Sequence, residues 1–164
     1  MVSNVASMAP DWQVDVWLNT HAPLELSQLR GRVVLLHAFQ MLCPGCVGHA
    51  VPQAERVHRE YAERGVSVVG LHTVFEHHAA MMPVALEAFL HEYRVTHPVG
   101  VDARVADVAI PATMQRYAMR GTPTLILIDR KGKLRLQEFG GVDDLRLGMM
   151  LGQLLAESSN SDDL

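Results

Sequence analysis

The sequence predicts an α/β fold, a mixed central β-sheet flanked by helices, and three observations carry that expectation. Val33 to Phe39 is an apolar run broken only by His37, which is how a strand covered on both faces reads. Directly after it comes a stretch with apolar residues at helical spacing, which leads into a second buried run, Val66 to Leu71. Further on, two strand-like segments are joined by Arg130-Lys131-Gly132, a turn suited to a hairpin.

Taken in order, Trp12, Val14, Val16 and Leu18 alternate with polar residues apart from Trp17 and predict a half-buried strand, with Ser27 to Gly31 as a short capped turn. Val47, Ala50, Val51, Ala54, Val57 and Tyr61 mark a helix that starts at the cysteine pair and stops at Gly65, where a helix-closing glycine belongs. Pro52 lies inside it and is expected to kink it, because its ring crowds the Gly48 carbonyl and it offers no N–H. Strand, helix and strand then form a parallel crossover unit. Met82, Leu86, Phe89, Leu90 and Tyr93 predict a second helix with Pro83 in its first turn, followed by a strand at His97 to Val101. Pro111 to Met119 reads as a short helix, and Thr124 to Ile128 with Leu134 to Phe139 as the hairpin. Asp143 or Asp144 caps a last helix carrying Leu147, Met150, Leu151 and Leu154.

At 164 residues the chain is expected to be one domain, 1–164, with flexible tails at 1–9 and 158–164. Hydrophobic residues make up 49% and charged residues 20%, enough apolar material for a core without disulfide staples. A net charge of -4 and a pI of about 6.1 give no basic field for nucleic acid, and no stretch is long and apolar enough to span a membrane. Met1 to Pro10 carry no Lys or Arg and no apolar run of secretory type, so a cytoplasmic location is expected, or a periplasmic one if an export signal was trimmed. Two cysteines separated by two residues do not make a disulfide framework; they make a local site.

That site is Cys43-Pro44-Gly45-Cys46, between a buried strand and a helix. A thiol at a helix start faces unpaired backbone N–H groups and the positive end of the helix dipole, which favour thiolate over thiol. Cys43 is therefore the expected nucleophile. Cys46, one turn on, is the expected resolving thiol that attacks a mixed disulfide on Cys43. Pro44 is tolerated in a first turn, and Gly45 adds no side chain to obstruct an incoming disulfide. The substrate expected is a protein or low-molecular-weight disulfide or thiol, with a separate electron donor or acceptor and no cofactor. The direction of electron flow is not legible, because a reduction potential depends on how far the folded protein stabilises the thiolate.

With these residues the chain resembles the thioredoxin-like superfamily, and within it the TlpA/ResA-like and AhpC/TSA-type redoxin group. The likeness covers nearly the whole chain. It rests on Val33 to Phe39 leading into the cysteine motif, on an inserted helix and strand before Asp102, and on Arg120-Gly121-Thr122-Pro123-Thr124 followed by Leu125 to Asp129 and Gly132. It implies a thioredoxin-like fold with an N-terminal extension and a helix-strand insertion. It also implies a cis Thr122-Pro123 bond beside the cysteines, with Thr122 and Pro123 binding substrate. The chain departs from the pattern at Leu42, where many relatives have Trp, and at His37, where thioredoxins have a buried acid that assists proton transfer. Leu36 and Gln40 replace the Pro and Thr of the peroxidatic motif, which disfavours a thiol-dependent peroxidase.

The main competing reading is a metal-binding or metal-delivery module, with Cys43, Cys46 and His49 as first-turn ligands joined by His37 or another of the nine histidines. A second well-spaced ligand pair is missing, so no metal is assigned. His37 has two readings, a proton shuttle for Cys46 or a core histidine with a satisfied hydrogen bond. His49 either tunes the thiols or sits at the surface. His72, His77 and His78 are expected in a solvated loop. Met81, Met82, Met149 and Met150 are expected to fill the core, and Met41 to join the apolar rim that meets a partner.

Overall fold

The computed structural model describes residues 6–158. Six strands, β1 (Val14–Leu18), β2 (Val33–Phe39), β3 (Val66–His72), β4 (Val99–Asp102), β5 (Thr124–Ile128) and β6 (Leu134–Phe139), form one sheet in the order β1-β4-β3-β2-β5-β6. β2, β3 and β4 run parallel, while β1, β5 and β6 are antiparallel to their neighbours. Four helices accompany the sheet: α1 (Val51–Tyr61), α2 (Pro83–Glu92), α3 (Ala112–Arg116) and α4 (Asp144–Ala156). This is the expected mixed sheet flanked by helices.

All seven residues of β2 are buried, as a central strand requires. Successive side chains of a strand point to opposite faces, and the core divides accordingly. Val34, Leu36 and Ala38 pack with Ile126, Ile128, Trp12 and Tyr117, whereas Val33 and Leu35 pack with Leu125, Leu127, Ala54, Val57 and Leu151. A third cluster joins Phe39 and Cys46 to Leu86 and Leu90 of α2. The cysteine turn thus stands on packed core.

The helix after the cysteines differs from a simple kinked helix. A helical turn begins at Pro44, widens to π geometry over Cys46–Ala50, and only then settles into α1. The Val51 N–H reaches back five residues to the Cys46 carbonyl. Pro52 explains the wide turn, because it has no N–H to bond the Gly48 carbonyl and its ring needs the room. Gly65 closes the segment at φ 103°, in the left-handed region that glycine enters freely.

Several boundaries move from their expected places. β4 starts at Val99 rather than His97, since Pro98 has no N–H for the ladder. α3 ends at Arg116, and the chain turns at Ala118, where φ is 49°. Trp12 lies ahead of β1, buried, with its indole N–H donating to the Leu24 carbonyl at 2.7 Å. The described part of the N-terminal tail is not loose: Met8 bridges to Lys133, and the Ala9 N–H bonds the Gly132 carbonyl at 2.9 Å. The rest of that tail and residues 159–164 lie outside the described residues. Met81 is buried, but Met82 and Met149 are exposed rather than in the core.

Asp143, not Asp144, caps α4, its carboxylate accepting from the N–H groups of Leu145 and Arg146 at 3.0 and 3.3 Å. Asp144 instead binds Gln53 and Arg56 of α1. Asp143→Ala is expected to cost about 1 kcal/mol, read as a lower urea midpoint at unchanged slope, because two helix-start donors lose their acceptor.

Candidate active site

The turn Gln40–Leu42 carries the chain from β2 into the cysteine motif, and the Cys43 N–H bonds the Gln40 carbonyl at 3.1 Å. The Cys46 N–H points at Cys43 Sγ, 3.3 Å away. Such a donor, at the start of a helical turn, stabilises negative charge on Cys43. Both cysteines are free; Cys43 is half-exposed and Cys46 is fully buried. Burial, reinforced by the Cys43 thiol beside it, pushes Cys46 up to about 12. The two sulfurs are therefore unequal: one meets solvent next to N–H groups, and the other is held back in the core.

Against this turn lies the Thr122-Pro123 segment, whose peptide bond is cis. The Thr122 carbonyl is 3.6 Å from Cys43 Sγ, within reach of its S–H. Gly45 faces the Pro123 ring, and a Cβ there would sit in ordinary contact, 3.5 Å from Pro123 Cδ. Gln40 ties the walls together, donating to Thr122 Oγ1 at 3.4 Å and accepting the Phe75 N–H at 3.3 Å. Leu42, 57% exposed, and the half-buried Met41 form an apolar rim beside the cysteines.

The histidines disperse. His72 is buried at the end of β3 rather than solvated, and its Nε2 accepts the Met41 N–H at 3.2 Å. Burial lowers its pKa to about 4, so it stays neutral and can hold the turn before Cys43. His77 is exposed, and His78 reaches the Ala109 carbonyl at 3.2 Å. His49 is half-buried, its Nε2–H donating to the Val142 carbonyl at 3.0 Å. Among the described residues no three of His, Cys, Asp and Glu gather as metal ligands. His37 is buried in β2 with Nε2 2.8 Å from His97 Nε2, and its ring stacks on Phe39 at 5.2 Å. Burial, with His97 beside it, holds its pKa well below the usual histidine value.

Three residues near the site escaped sequence reasoning. Gln40 reads only as a departure from the peroxidatic motif, since a polar residue after a strand otherwise reads as loop. Glu55 and His97 meet at 2.6 Å beneath the sheet end. Two faint signals pointed there: Gln53 and Glu55 flank Ala54 on the buried stripe of α1, and Gly70 interrupts an otherwise bulky strand, which often marks close approach.

A cysteine pair opening a helix from the central strand, faced by a cis-proline loop, defines a protein of thioredoxin-like fold. The chain belongs to the AhpC/TSA family, whose model matches residues 5–137. It superposes on the crystal structure of a thioredoxin-like superfamily protein with a TM-score of 0.91 and 52% identity, over 94% of this chain and 100% of that one. A thiol-disulfide isomerase from Corynebacterium glutamicum matches with a TM-score of 0.86 and 50% identity, over 92% of this chain and 98% of that one. The thiol-disulfide oxidoreductase ResA of Halalkalibacterium halodurans is 26% identical over 121 residues, 74% of this chain. The chain spans only part of its curated relatives, 61% of ResA and 21% of the protein DipZ of Mycobacterium bovis. Among the described residues no helix is long and apolar enough to cross a membrane.

Proposed function

We propose that the chain exchanges thiols and disulfides with a protein or low-molecular-weight partner, with Cys43 as nucleophile and Cys46 as resolving thiol. One observation carries the reading: Cys43 Sγ, half-exposed, accepts the Cys46 N–H at 3.3 Å while Cys46 itself is buried. Cys43 attacks the substrate disulfide, one sulfur joining it and the other leaving as thiolate. Cys46 then displaces the substrate from Cys43 and closes the disulfide. Thr122 and Pro123 flank the bound substrate, with the Thr122 backbone beside the reacting sulfur, and Pro44 and Gly45 form the exposed lip it crosses. His37 serves as the proton shuttle for Cys46, supported by its burial in the strand that ends at the site. A separate thiol or disulfide couple restores the starting state.

Equilibration in graded thiol-disulfide buffers gives the potential, and two variants test the roles. Cys46→Ser is expected to accumulate a mixed disulfide visible by mass, and Cys43→Ser to lose exchange activity altogether. The reverse pattern would exchange the roles, and two active variants would refute the mechanism.

A further inference from the structure

Beside the cis-proline loop a cation rests on an aromatic ring, and thiol exchange as described makes no use of either. The Arg120 guanidinium lies over the Phe139 ring, 5.6 Å from its centroid. Arg120 is exposed, and Phe139, the last residue of β6, is 49% exposed. Among the described residues Arg120 has no hydrogen-bond or ion-pair partner, since Glu138, the acid next to Phe139, is paired with Arg146.

The pair is held against the loop. The Gly140 N–H bonds the Pro123 carbonyl at 2.8 Å, and Phe139 faces Thr124 across the ladder of β5 and β6. Gly121, whose carbonyl accepts from Thr124 Oγ1 at 2.7 Å, lets the ring in: a Cβ there would stand 2.8 Å from Phe139 Cε2, closer than side-chain carbons come. The ring therefore lies on the residue just before Thr122, whose carbonyl is 3.6 Å from Cys43 Sγ. Two residues of extended chain span at most about 7 Å. Arg120 thus stands within reach of the residue that neighbours a substrate cysteine held at Cys43.

A guanidinium resting on a ring face keeps its in-plane N–H groups for another partner, and their fork matches a carboxylate. The exposed part of the ring offers apolar contact to the stem of the same side chain. With a net charge of -4 on the chain, the overall field repels an acidic partner, so a preference for acid must come from a local cation.

We infer that Arg120 and Phe139 form a specificity subsite for an acidic side chain flanking the substrate cysteine, so that the protein favours polypeptide disulfides with Glu or Asp beside the reacting sulfur. This subsite rests on the exchange reaction proposed above. In that reaction the Cys43 thiolate bonds the peptide sulfur, the substrate S–S bond breaks, and its electron pair leaves with the other sulfur. Arg120 holds the neighbouring carboxylate while this happens.

The test uses peptides Gly-X-Cys-X-Gly, with X as Glu, Gln or Lys and a 2-thiopyridyl group on the cysteine sulfur, in single turnover with the reduced protein. Release of thiopyridone gives the rate. Division by the rate of 2-mercaptoethanol with the same peptide cancels the peptide's own reactivity. Wild type is expected to favour the Glu peptide over the Lys peptide about tenfold, with the Gln peptide between them. Arg120→Gln should bring that ratio below about threefold, Arg120→Glu should invert it, and Phe139→Leu, which takes away the ring under the guanidinium, should lower it by about threefold. A wild-type ratio near one, or a ratio that Arg120→Gln or Phe139→Leu leaves unchanged, overturns the subsite and leaves the cysteine roles standing. Equal slowing of all three peptides by the variants makes the pair merely structural and overturns it too. A reduced wild-type protein that releases no thiopyridone from any peptide removes the redox reading and the subsite together.

Discussion

Phe39→Ala is expected to cost about 4 kcal/mol of folding stability, the range for emptying a fully buried aromatic site. The ring is completely buried, lies 5.2 Å from both His37 and His72 and 6.3 Å from Phe89 of α2, and shares a cluster with Cys46. Few neighbours can collapse into the space, because β2 is locked on both sides by ladders and the facing histidines are held by their own hydrogen bonds. A shift of the urea midpoint at constant slope measures it. A loss below about 1 kcal/mol would mean that this ring is not part of a close-packed core.

Acid lability is the second large effect, and its sign follows from His72. Burial holds this imidazole at about 4 in the folded chain, against about 6.5 when unfolded. Between those values the unfolded chain binds a proton that the folded chain refuses, so stability rises with pH across the window. It is lost as pH falls from 6.5 toward 4, by about 3 kcal/mol from this group alone. His37, also held low by burial and His97, adds in the same direction, whereas Asp102, raised by burial, opposes it near the bottom of the range. His72→Gln keeps an acceptor for the Met41 N–H and removes the titration. The variant should therefore lose about 3 kcal/mol less than wild type on going from pH 7 to pH 4 in urea melts. Parallel pH curves for the two proteins would refute the assignment.

Much of the fold was legible because local pattern and tertiary role agree. The apolar runs of β2 and β3, the hairpin of β5 and β6, and the stripe of α4 all announce themselves within a few residues, while the choice of Asp143 over Asp144 as cap does not. The cysteine pair is a local pattern in the sequence, whereas the Thr122-Pro123 segment, 76 residues after Cys46, is set beside it only by the family resemblance. What escaped depends on contacts across the chain. His72 reads as a loop residue until Met41 is brought beside it, and Glu55 reads as a solvated helical charge until His97 arrives under α1. Ala9 reads as tail until Gly132 offers a carbonyl. Polar groups buried against distant partners leave almost no periodic trace.

The wide turn from Cys46 to Ala50 has a consequence for how this chain tolerates change. Each residue advances an ordinary helix by about 100°, so a turn holding one extra residue resets the angular phase between everything before it and everything after. Cys46 and Val51 both face inward only because of that offset. Removing a single residue between them would rotate the buried sulfur or the α1 stripe away from the sheet, so length in this stretch is constrained more tightly than identity.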